Sequence, residues 1–540
     1  MSCAKQAAIV ITGGGLAGLT LALHLKQRLP ALNVTVLERL RHPVPAAAHK
    51  VGESSVEIGA HYFDTVLGLK EHLTAHQLKK FGFRFFFSEG RNDVDQVVEL
   101  GASRYLATPS YQLDRGVLEN YLAERCASHG IVFIDGAAVR EIALGEGGTA
   151  HSVTYERGGT QSMLTCRWVV DASGRAGLLK RKLGLAESND HNANAIWFRI
   201  GARIDMDEWS KDAGWLQRCD PPYRWLSTNH LCGEGYWAWL IPLSSGSHSV
   251  GIVCDARLHP LRSMNSFERA MEWFHRYQPR LAQELEGKRH LLQDFYALRH
   301  FSYGCKQVFS PHRWALTGEA GVFLDPFYSP GSDFIAISNT YISELIVKDL
   351  AGEDFAPYAR LYEQFYFSFY RSTLTLYQDQ YPIFGDPEVM PVKVIWDYTY
   401  YWGILCQLFF QHRLTDLTAM SRLREELSLT LKLNEAMQRF MREWSRVSVK
   451  RNGAWMLDQA SLAWFAELNR GLRDELDEAG FKARLRENTA LLQTLAGQII
   501  HSALAEHPQL DATGVRALVG TAASLPHEAL LFPMPVYAAA

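Results

Sequence analysis

The chain has 540 residues, of which 47% are hydrophobic and 21% are charged, and its formal net charge is −3. These values indicate an ordinary globular protein with two or three structural units. Because like charges form no long run, the composition argues against a nucleic-acid surface or a polybasic membrane patch. Small molecules and proteins are the expected partners.

The cysteines and the N-terminus indicate the cellular compartment in which the protein is expected. The eight cysteines are scattered without a CxxC pair or a metal-ligand spacing, so we expect neither a metal site nor a disulfide framework. The N-terminus lacks the apolar segment and cleavage site of a signal peptide, and no window reaches the roughly 18 apolar residues of a membrane helix. We therefore expect a cytoplasmic protein without a membrane span.

The first elements predict a strand, a glycine-rich turn, a helix and a second strand, written "AAIVIT", "GGG", "LAGLTLALHLKQRL" and "NVTVLE". Gly13, Gly15 and Gly18 have GxGxxG spacing, and Glu38 ends the second strand. Such glycines let a pyrophosphate approach a helix N-terminus, and such a carboxylate accepts hydrogen bonds from a ribose. The unit predicts a dinucleotide site; a ligand-free glycine turn is the alternative. FAD and NAD are not separated by this motif.

Two lysines precede the next predicted strand, "FGFRFFF". Alternation from Lys80 onward puts Lys80, Gly82 and Arg84 on one face and the phenylalanines on the other. Gly82 would then leave space beside the Lys80 ammonium. The alternative is that Lys79 and Lys80 only make the strand end soluble while their stems pack on apolar surface.

Further strands and helices predict the domain organisation. Residues 1–350 read as an α/β nucleotide-binding unit with β-rich portions at about 80–115 and 190–300, where "YWAWLIPL" and "SVGIVC" lie. From 351 to 540 the pattern is mainly helical. A tyrosine repeat in that region favours packing between helices, or between a helix and a sheet, over a binding pocket; it consists of Tyr358, Tyr362, Tyr366 and Tyr370, with Tyr377 and Tyr381 near the same stripe.

Three later segments separate FAD from NAD by resemblance. "YQLDRGVLENYLAERC", "WVVDASGR" and "WALTGEAGVFLDPF" stand in the order found in glutathione-reductase-like flavoproteins that hydroxylate or halogenate aromatic rings. The resemblance implies that FAD is the cofactor and that the fold is of the glutathione-reductase-like FAD-binding type with a β-rich insert. It also implies that Arg115 contacts the flavin nucleotide and that Asp171 and Asp325 lie along the cofactor.

Three motifs make the chain similar to the flavin-dependent halogenases over its first 345 residues or so. They are "KVGESS", "WAWLIP" and "FLDPFYSPG", which match the GE(S/A), WxWxIP and FxxPxxSxG patterns of that family. The resemblance implies a flavin loop, a wall between flavin and substrate, and a flavin and halide loop. The residues concerned are Gly52, Glu53 and Ser54 in the first; Trp237, Trp239, Ile241 and Pro242 in the second; and Asp325, Pro326, Ser329, Gly331 and Ser332 in the third.

The same resemblance gives Lys80 a catalytic role, since Arg84 and Phe85 follow it in the family's K-x-x-x-(K/R)-F spacing. It implies that reduced FAD and O2 oxidise chloride or bromide to hypohalous acid and that Lys80 passes the halogen to an electron-rich ring. Because no second GxGxxG occurs, a separate flavin reductase is expected to supply reduced FAD.

Two positions depart from the family pattern. Tyr328 stands where members that act on free tryptophan have a glutamate, which favours a phenolic or pyrrolic substrate, free or bound to a carrier protein. Pro330 has no backbone N–H for the halide, although Gly331 and Ser332 keep theirs. Two alternatives therefore stay open: a single-component FAD-dependent aromatic hydroxylase, and a non-catalytic flavin-binding or docking protein.

Overall fold

The computed structural model describes residues 5–46, 52–88 and 93–520. Lys50 and Val51 of the "KVGESS" motif and the last 20 residues of the predicted helical region lie outside the described residues. The strands of the described part are β1 (Lys5–Thr12), β2 (Val34–Leu37), β3 (Leu78–Lys79), β4 (Phe83–Phe87), β5 (Val98–Gly101), β6 (Tyr111–Gln112), β7 (Val132–Ile134), β8 (Ala137–Ala143), β9 (His151–Arg157), β10 (Thr160–Asp171), β11 (Ala186–Glu187), β12 (Ala193–Ile200), β13 (Thr228–Gly233), β14 (Tyr236–Pro242), β15 (His248–Asp255), β16 (Leu292–Leu298), β17 (Gly304–Cys305), β18 (Trp314–Leu316) and β19 (Met456–Asp458).

The α-helices of the described part are α1 (Leu16–Arg28), α2 (Glu57–His61), α3 (Lys70–His76), α4 (Arg115–Ser128), α5 (Leu178–Lys182), α6 (Ala213–Gln217), α7 (Phe267–Tyr277), α8 (Pro279–Glu286), α9 (Gly331–Leu350), α10 (Ala356–Leu374), α11 (Val389–Tyr400), α12 (Gln407–Phe410), α13 (Leu417–Arg422), α14 (Arg424–Val447), α15 (Ala463–Arg470), α16 (Glu478–Glu506) and α17 (Thr513–Val519). Two π-helical segments, Tyr62–Val66 and Tyr401–Cys406, continue α2 and α11. Within the described ranges, no helix has the length and apolar character needed to cross a membrane.

A seven-stranded sheet carries the glycine-rich turn. Its order is β7-β2-β1-β10-β9-β8, and β18 also pairs with β10. Strands β7, β2, β1, β10 and β18 pair in parallel, whereas β8 and β9 are antiparallel. Strand β2 is buried along its whole length, as is common for parallel strands that are covered on both faces. The carboxyl ends of β1, β2 and β10 therefore meet at one edge, where ligands bind in open α/β sheets.

An eight-stranded sheet forms the β-rich portion, with the order β16-β12-β15-β14-β13-β4-β5-β19. Helices α7 and α8 cover one face and share a hydrophobic core with Phe86 of β4. Phe83, Phe85 and Phe87 belong to the other, larger core. Within β4 the predicted alternation of side chains is therefore observed.

The alternation does not extend back to Lys80, and that prediction was wrong. Lys80 follows β3, and β4 begins only at Phe83. Gly82 between them has φ +77°, a conformation that glycine adopts readily and that a strand does not contain. The chain therefore bends at Gly82, and Lys80 does not share a strand face with Arg84.

The helical region after residue 350 is built into the same core as the nucleotide-binding part. Tyr362 of α10 stacks on Tyr341 of α9 with ring centroids 4.7 Å apart, in agreement with the predicted packing role of the tyrosine repeat. Strand β19 pairs in parallel with β5, so residues from the helical region complete one end of the eight-stranded sheet. The predicted boundary at 350 thus separates two sequence patterns but not two hydrophobic cores.

Candidate active site

A cavity of about 790 Å³ opens at the carboxyl edge of the seven-stranded sheet. This volume is within the range of cofactor and ligand sites. Most of the predicted site residues line it: Gly13, Gly15, Glu38, Gly52, Glu53, Ser54, Arg115, Trp237, Trp239, Ile241, Asp325, Pro326, Ser329, Gly331 and Ser332. Gly18, Lys80, Asp171 and Pro242 are not among the lining residues.

The glycine turn leaves the N-terminus of α1 open to this cavity. A Cβ at Gly18 would lie 2.0 Å from the carbonyl oxygen of Gly13, so this glycine is required for close packing of helix and strand. A Cβ at Gly15 would have only one neighbour within 4 Å, Glu119 Oε1 at 3.9 Å. Gly15 therefore faces open space, where a phosphate could approach the first turn of the helix.

Glu38 is fixed at the end of β2 by backbone donors. The N–H of Gly14 donates to Glu38 Oε2 at 2.6 Å, and the N–H of Leu40 donates to Oε1 at 2.8 Å. The carboxylate is thus tied to the glycine turn at the edge of the cavity. Helix N-terminus, open glycine and carboxylate together fit the dinucleotide part of FAD.

Arg115 begins α4 at the wall of the large cavity. Its Nη2 donates to Glu119 Oε1 at 2.6 Å, and its Nη1 lies 3.5 Å from the carbonyl oxygen of Gly52. The guanidinium therefore lies between α4 and the loop that carries Gly52 and Glu53. This position suits contact with a nucleotide phosphate.

Asp171 is buried at the end of β10 and supports the turn after it. Its Oδ1 accepts from the N–H of Ser173 at 3.0 Å, and its Oδ2 accepts from the N–H of Leu179 at 2.7 Å. Ser173 lines the large cavity while Asp171 does not. The geometry makes Asp171 a support for the cavity wall.

Asp325 also has its oxygens occupied by the protein. Oδ1 accepts from the N–H of Phe327 at 2.9 Å. Oδ2 lies 2.6 Å from His191 Nε2 and accepts from the hydroxyl of Tyr381. Sequence reasoning missed His191, and it assigned Tyr381 only to the tyrosine repeat, because partners 134 and 56 residues away leave no local signal.

Glu53 is paired inside the β-rich portion. Its Oε1 lies 2.7 Å from Arg199 Nη2, and Arg199 Nη1 lies 2.7 Å from Asp294 Oδ2. Burial raises the pKa of Glu53, and the Arg199 guanidinium opposes that rise. The flavin loop predicted from the "GES" motif is therefore anchored to β12 and β16.

Lys80 is buried, with 3% of its surface exposed, and lies against the same loop. Its Nζ donates to Ser54 Oγ at 2.9 Å and to the carbonyl oxygen of Ser55 at 3.0 Å. Lys79, by contrast, is exposed, and its Nζ lies 4.4 Å from the centre of the Tyr105 ring. A buried ammonium close to the large cavity is thus found at Lys80 and not at Lys79.

Two buried carboxyl groups face Lys80. Burial lowers the pKa of Lys80 well below its usual value, and the charges of Glu57 and Asp333 oppose that change. Burial also raises the pKa of Glu57 and raises that of Asp333 to about 8. Asp333 accepts a 2.7 Å hydrogen bond from the hydroxyl of Tyr401. The pKa shifts of all three groups favour their uncharged forms, and such perturbed groups are typical of sites of general acid–base chemistry.

The predicted halide loop ends at the N-terminus of α9. Ser329 has φ +51°, and Pro330 precedes the helix, whose first hydrogen bond runs from the N–H of Phe334 to the carbonyl of Pro330 at 3.1 Å. The N–H groups of the first turn, from Gly331 onward, have no intrahelical acceptor by helix geometry. Because Pro330 stands before that turn, its missing N–H removes none of these donors. The buried Ser332 hydroxyl also lacks a hydrogen-bond partner in the described part of the chain.

A second, smaller cavity of about 40 Å³ lies on the other side of this loop. Pro330 lines both cavities, and Tyr328 lines only the second. The remaining walls come mainly from α10, α11 and their neighbours: Val56, Phe83, Asp333, Phe369, Ser372, Thr373, Leu376, Tyr377, Asp397, Tyr398, Tyr400, Tyr401 and Leu405. The loop that contains Tyr328 and Pro330 is therefore the partition between the two cavities.

Trp237 and Trp239 lie on β14 along the large cavity only. The indole N–H of Trp237 donates to the hydroxyl of Tyr381 at 3.1 Å, and that of Trp239 donates to Ser249 Oγ at 3.1 Å. Both rings are buried and hydrogen-bonded, so they are fixed parts of the wall. Their indoles do not reach the second cavity.

The chain is similar to an FAD-binding family and to known halogenases. Residues 6–269 match the family described as an FAD binding domain. The chain is 26% identical over 466 residues to a flavin-dependent halogenase of Dictyostelium discoideum, covering 78% of this chain and 76% of that protein. It is 25% identical over 358 residues to the 1H-pyrrole-2-carbonyl-[peptidyl-carrier protein] brominase of Pseudoalteromonas luteoviolacea, covering 66% and 80%.

Among solved structures, the halogenase PltM in complex with phloroglucinol and FAD superposes with a TM-score of 0.63 at 16% identity, covering 95% of this chain and 98% of that one. At this identity the superposition bears on the fold alone. With the FAD-binding match, it confirms the predicted α/β FAD-binding fold.

Proposed function

The chain belongs to the flavin-dependent halogenase family, and from this premise we propose that it halogenates an electron-rich aromatic ring with hypohalous acid directed by Lys80. The observation that carries the proposal is the buried ammonium of Lys80, held by Ser54 and Ser55 beside the large cavity. Burial of a lysine ammonium is costly even with the charges of Glu57 and Asp333 nearby, and this cost supports a chemical role for Lys80.

FAD would be held by the glycine turn, Glu38 and Arg115, with the loop of Gly52, Glu53 and Ser54 and the loop from Asp325 to Ser332 beside it. When bound in its reduced form, FAD supplies the two electrons that reduce O2 to the peroxide level, and oxygen at that level oxidises chloride or bromide to hypohalous acid. We propose that a separate flavin reductase provides the reduced cofactor, since the sequence has one GxGxxG turn.

Lys80 would hold hypohalous acid through an N–H of its ammonium and give a proton to the departing hydroxide. Two of its donors are already directed to Ser54 and to the carbonyl of Ser55, which fixes Nζ in position. A fixed donor in a site without bulk water stabilises developing charge more than a mobile one does. Transfer of the lysine proton to hydroxide is also favoured because burial lowers the pKa of Lys80.

The N-terminus of α9 is the proposed halide position. Free N–H groups and the positive end of the helix dipole favour an anion, and the Ser332 hydroxyl is available as a further donor. Asp333 in the first turn opposes an anion only when it is charged, and burial raises its pKa to about 8. At neutral pH the first turn therefore remains suited to chloride or bromide.

The substrate is proposed to be a phenolic or pyrrolic ring, free or bound to a carrier protein. The names of the relatives support this range, because one acts on a carrier-bound pyrrole and one structure contains phloroglucinol. Trp237 and Trp239 would close the large cavity to the organic substrate and to water.

Product analysis tests this function directly. The protein would be incubated with FAD, a flavin reductase, NADH, bromide and a panel of small phenols and pyrroles, and products would be identified by mass spectrometry. We expect brominated rings that require both bromide and the reductase. Rings that gain oxygen, formed with rapid NADH oxidation in the absence of the reductase, would instead identify a single-component hydroxylase.

A further inference from the structure

Helix α11 contributes a buried ion pair to the second cavity. Lys393 Nζ lies 2.6 Å from Asp397 Oδ2, and Lys393 is fully buried. Asp397 Oδ1 accepts a 2.6 Å hydrogen bond from Gln438 Nε2 on α14. Both helices belong to the region after residue 350, in which the sequence analysis predicted no site residue.

Asp397 is connected to the partition loop through Tyr328. The hydroxyl of Tyr328 donates to Asp397 Oδ2 at 2.7 Å, and both side chains line the second cavity. Since a phenolic oxygen can accept a hydrogen bond while it donates one, Tyr328 can receive the O–H of a guest in the cavity. The arrangement forms a path for a proton from the cavity to the Asp397 carboxylate.

Stability alone does not account for this arrangement. A buried ion pair costs desolvation of both charges, and apolar residues of similar volume are often as stable. Burial raises the pKa of Asp397 and lowers that of Lys393, while each charge opposes the change in its partner. A carboxylate with a raised pKa that is connected to a cavity is suited to accept a proton.

We propose that the second cavity binds a phenol, that its hydroxyl donates to Tyr328, and that Asp397 is the final acceptor of the hydroxyl proton. This inference rests on the proposed function and names its substrate class. Asp397 would also act as the base that the loop itself lacks, because Tyr328 stands there in place of a glutamate. Lys393 and Gln438 are positioning residues that orient the carboxylate.

The reaction would proceed in two balanced steps. In the first, the ring carbon forms a bond to the halogen as the halogen–oxygen bond breaks. The hydroxyl proton passes through Tyr328 to Asp397, and the departing hydroxide takes a proton from Lys80 to become water. In the second, the resulting dienone loses its ring proton to the neutral amine of Lys80 and recovers the proton of Asp397 on its oxygen. The products are a halophenol, water and the two side chains in their starting states.

The volume of the second cavity limits the size of the ring that it can bind. About 40 Å³ is less than the roughly 150 Å³ of an engineered apolar cavity that binds benzene. A single ring therefore enters only when wall side chains such as Leu376 and Leu405 move, and a fused polycyclic ring would require a larger movement. The proposed substrate class is accordingly a small, single-ring phenol.

The test compares phenol with methoxybenzene, which has the same ring but no hydroxyl proton. The variants are Asp397→Asn and Tyr328→Phe; the second leaves the Lys393–Asp397 pair intact. Asp386→Asn serves as the matched control. Asp386 is also buried in the helical region, but it accepts a hydrogen bond from the Ser445 hydroxyl and does not line the second cavity. Binding of each compound is measured by calorimetry, bromination by mass spectrometry, and escaping hypobromous acid with a soluble β-diketone trap.

We expect the wild type and Asp386→Asn to prefer phenol to methoxybenzene by at least about tenfold in binding and turnover, since a hydrogen-bonding site discriminates against an analogue that lacks the donor. Both cavity variants should lose that preference, whereas Asp386→Asn should form hypobromous acid within about twofold of the wild type. An unchanged preference in the two variants overturns the inference. If even the wild type forms no hypobromous acid, the proposed function fails, whereas the binding comparison still decides whether the hydroxyl site exists.

Discussion

The Nζ atom of Lys80 lies 3.4 Å from the centre of the Phe83 ring. An aromatic face stabilises the protonated form of a lysine, and here it adds a contact to the two hydrogen bonds that Nζ makes with Ser54 and Ser55. Because Phe83 lines the second cavity, one phenyl ring separates the proposed halogen donor from the proposed substrate position. Halogen transfer into that cavity therefore requires movement of Phe83.

Replacement of Lys80 tests the proposed chemistry most directly. Lys80→Ala should lower the yield of halogenated product by at least roughly 100-fold, a loss typical of removing one preorganised donor. Lys80→Arg should fail as well, since a guanidinium differs from the compact ammonium in shape and does not release its proton. Product yield and consumption of reduced FAD are measured side by side, and consumption should continue in both variants.

Lys79→Ala is the matched control for that pair. Lys79 is exposed and is directed toward Tyr105, so its loss should leave most of the activity. A reversed outcome, with Lys79 essential and Lys80 dispensable, would contradict the assignment.

The cofactor site is tested at two glycines that differ in their surroundings. Gly15→Val should lower FAD affinity by at least about tenfold, or ~1.4 kcal/mol, without lowering the melting temperature, because its side chain enters open space. Gly18→Ala should lower the melting temperature instead, since its Cβ would lie 2.0 Å from the Gly13 carbonyl oxygen. FAD titration and thermal unfolding separate the two effects; equal FAD affinity in Gly15→Val and the wild type would refute the site.

Trp239 is predicted to keep the large cavity closed to water and to the organic substrate. Trp239→Ala should lower the ratio of halogenated product to reduced FAD consumed and increase release of peroxide. Truncation of a buried tryptophan also costs roughly 3–5 kcal/mol of folding free energy, so the measurement is made well below the melting temperature of the variant. A folded variant with the wild-type ratio would show that Trp239 serves packing alone.

Asp333 is predicted to make stability depend on pH. Its folded-state pKa of about 8 lies above the ordinary value of 3.8, so the folded state binds the proton more tightly than the unfolded state. Its contribution is fully present below about pH 4 and is lost as the pH rises toward 8, at up to about 1.4 kcal/mol per pH unit. Lys80 has the opposite slope at higher pH, because its folded pKa is lowered.

Comparison with Asp333→Asn isolates that contribution. The melting temperatures of the two proteins are measured between pH 5 and pH 8. The wild type should lose stability relative to Asp333→Asn over this range, because only the wild type must retain a proton that the unfolded chain has released. A constant difference would mean that Asp333 is charged in the folded protein.

The parts of the fold that depend on local sequence could be predicted. The turn with Gly13, Gly15 and Gly18 lies with its strand, helix and acidic residue between residues 5 and 38, and each is specified by nearby residues. The packing role of the tyrosine repeat likewise follows from helical spacing. Hydrophobic periodicity predicts such elements because the side chains of helices and strands repeat at fixed residue spacings.

Other features depend on pairing between distant segments or on one backbone angle. Asp397 reaches Tyr328 over 69 residues, and Lys393 reads as one more residue of a helix until its burial is seen. The positive φ of Gly82 cannot be distinguished by alternation from an ordinary strand glycine, which explains the wrong face assigned to Lys80. Tertiary contacts of this kind have no period in the sequence.

The pairing of β19 with β5 has a consequence for protein engineering. Removal of the chain after residue 350 would leave β5 as an exposed edge, with unpaired N–H and C=O groups that can template aggregation between molecules. It would also uncover apolar side chains that the two regions now share. The helical region is therefore not an exchangeable module, and chimeras with other family members should be joined inside surface loops that leave both sheets complete.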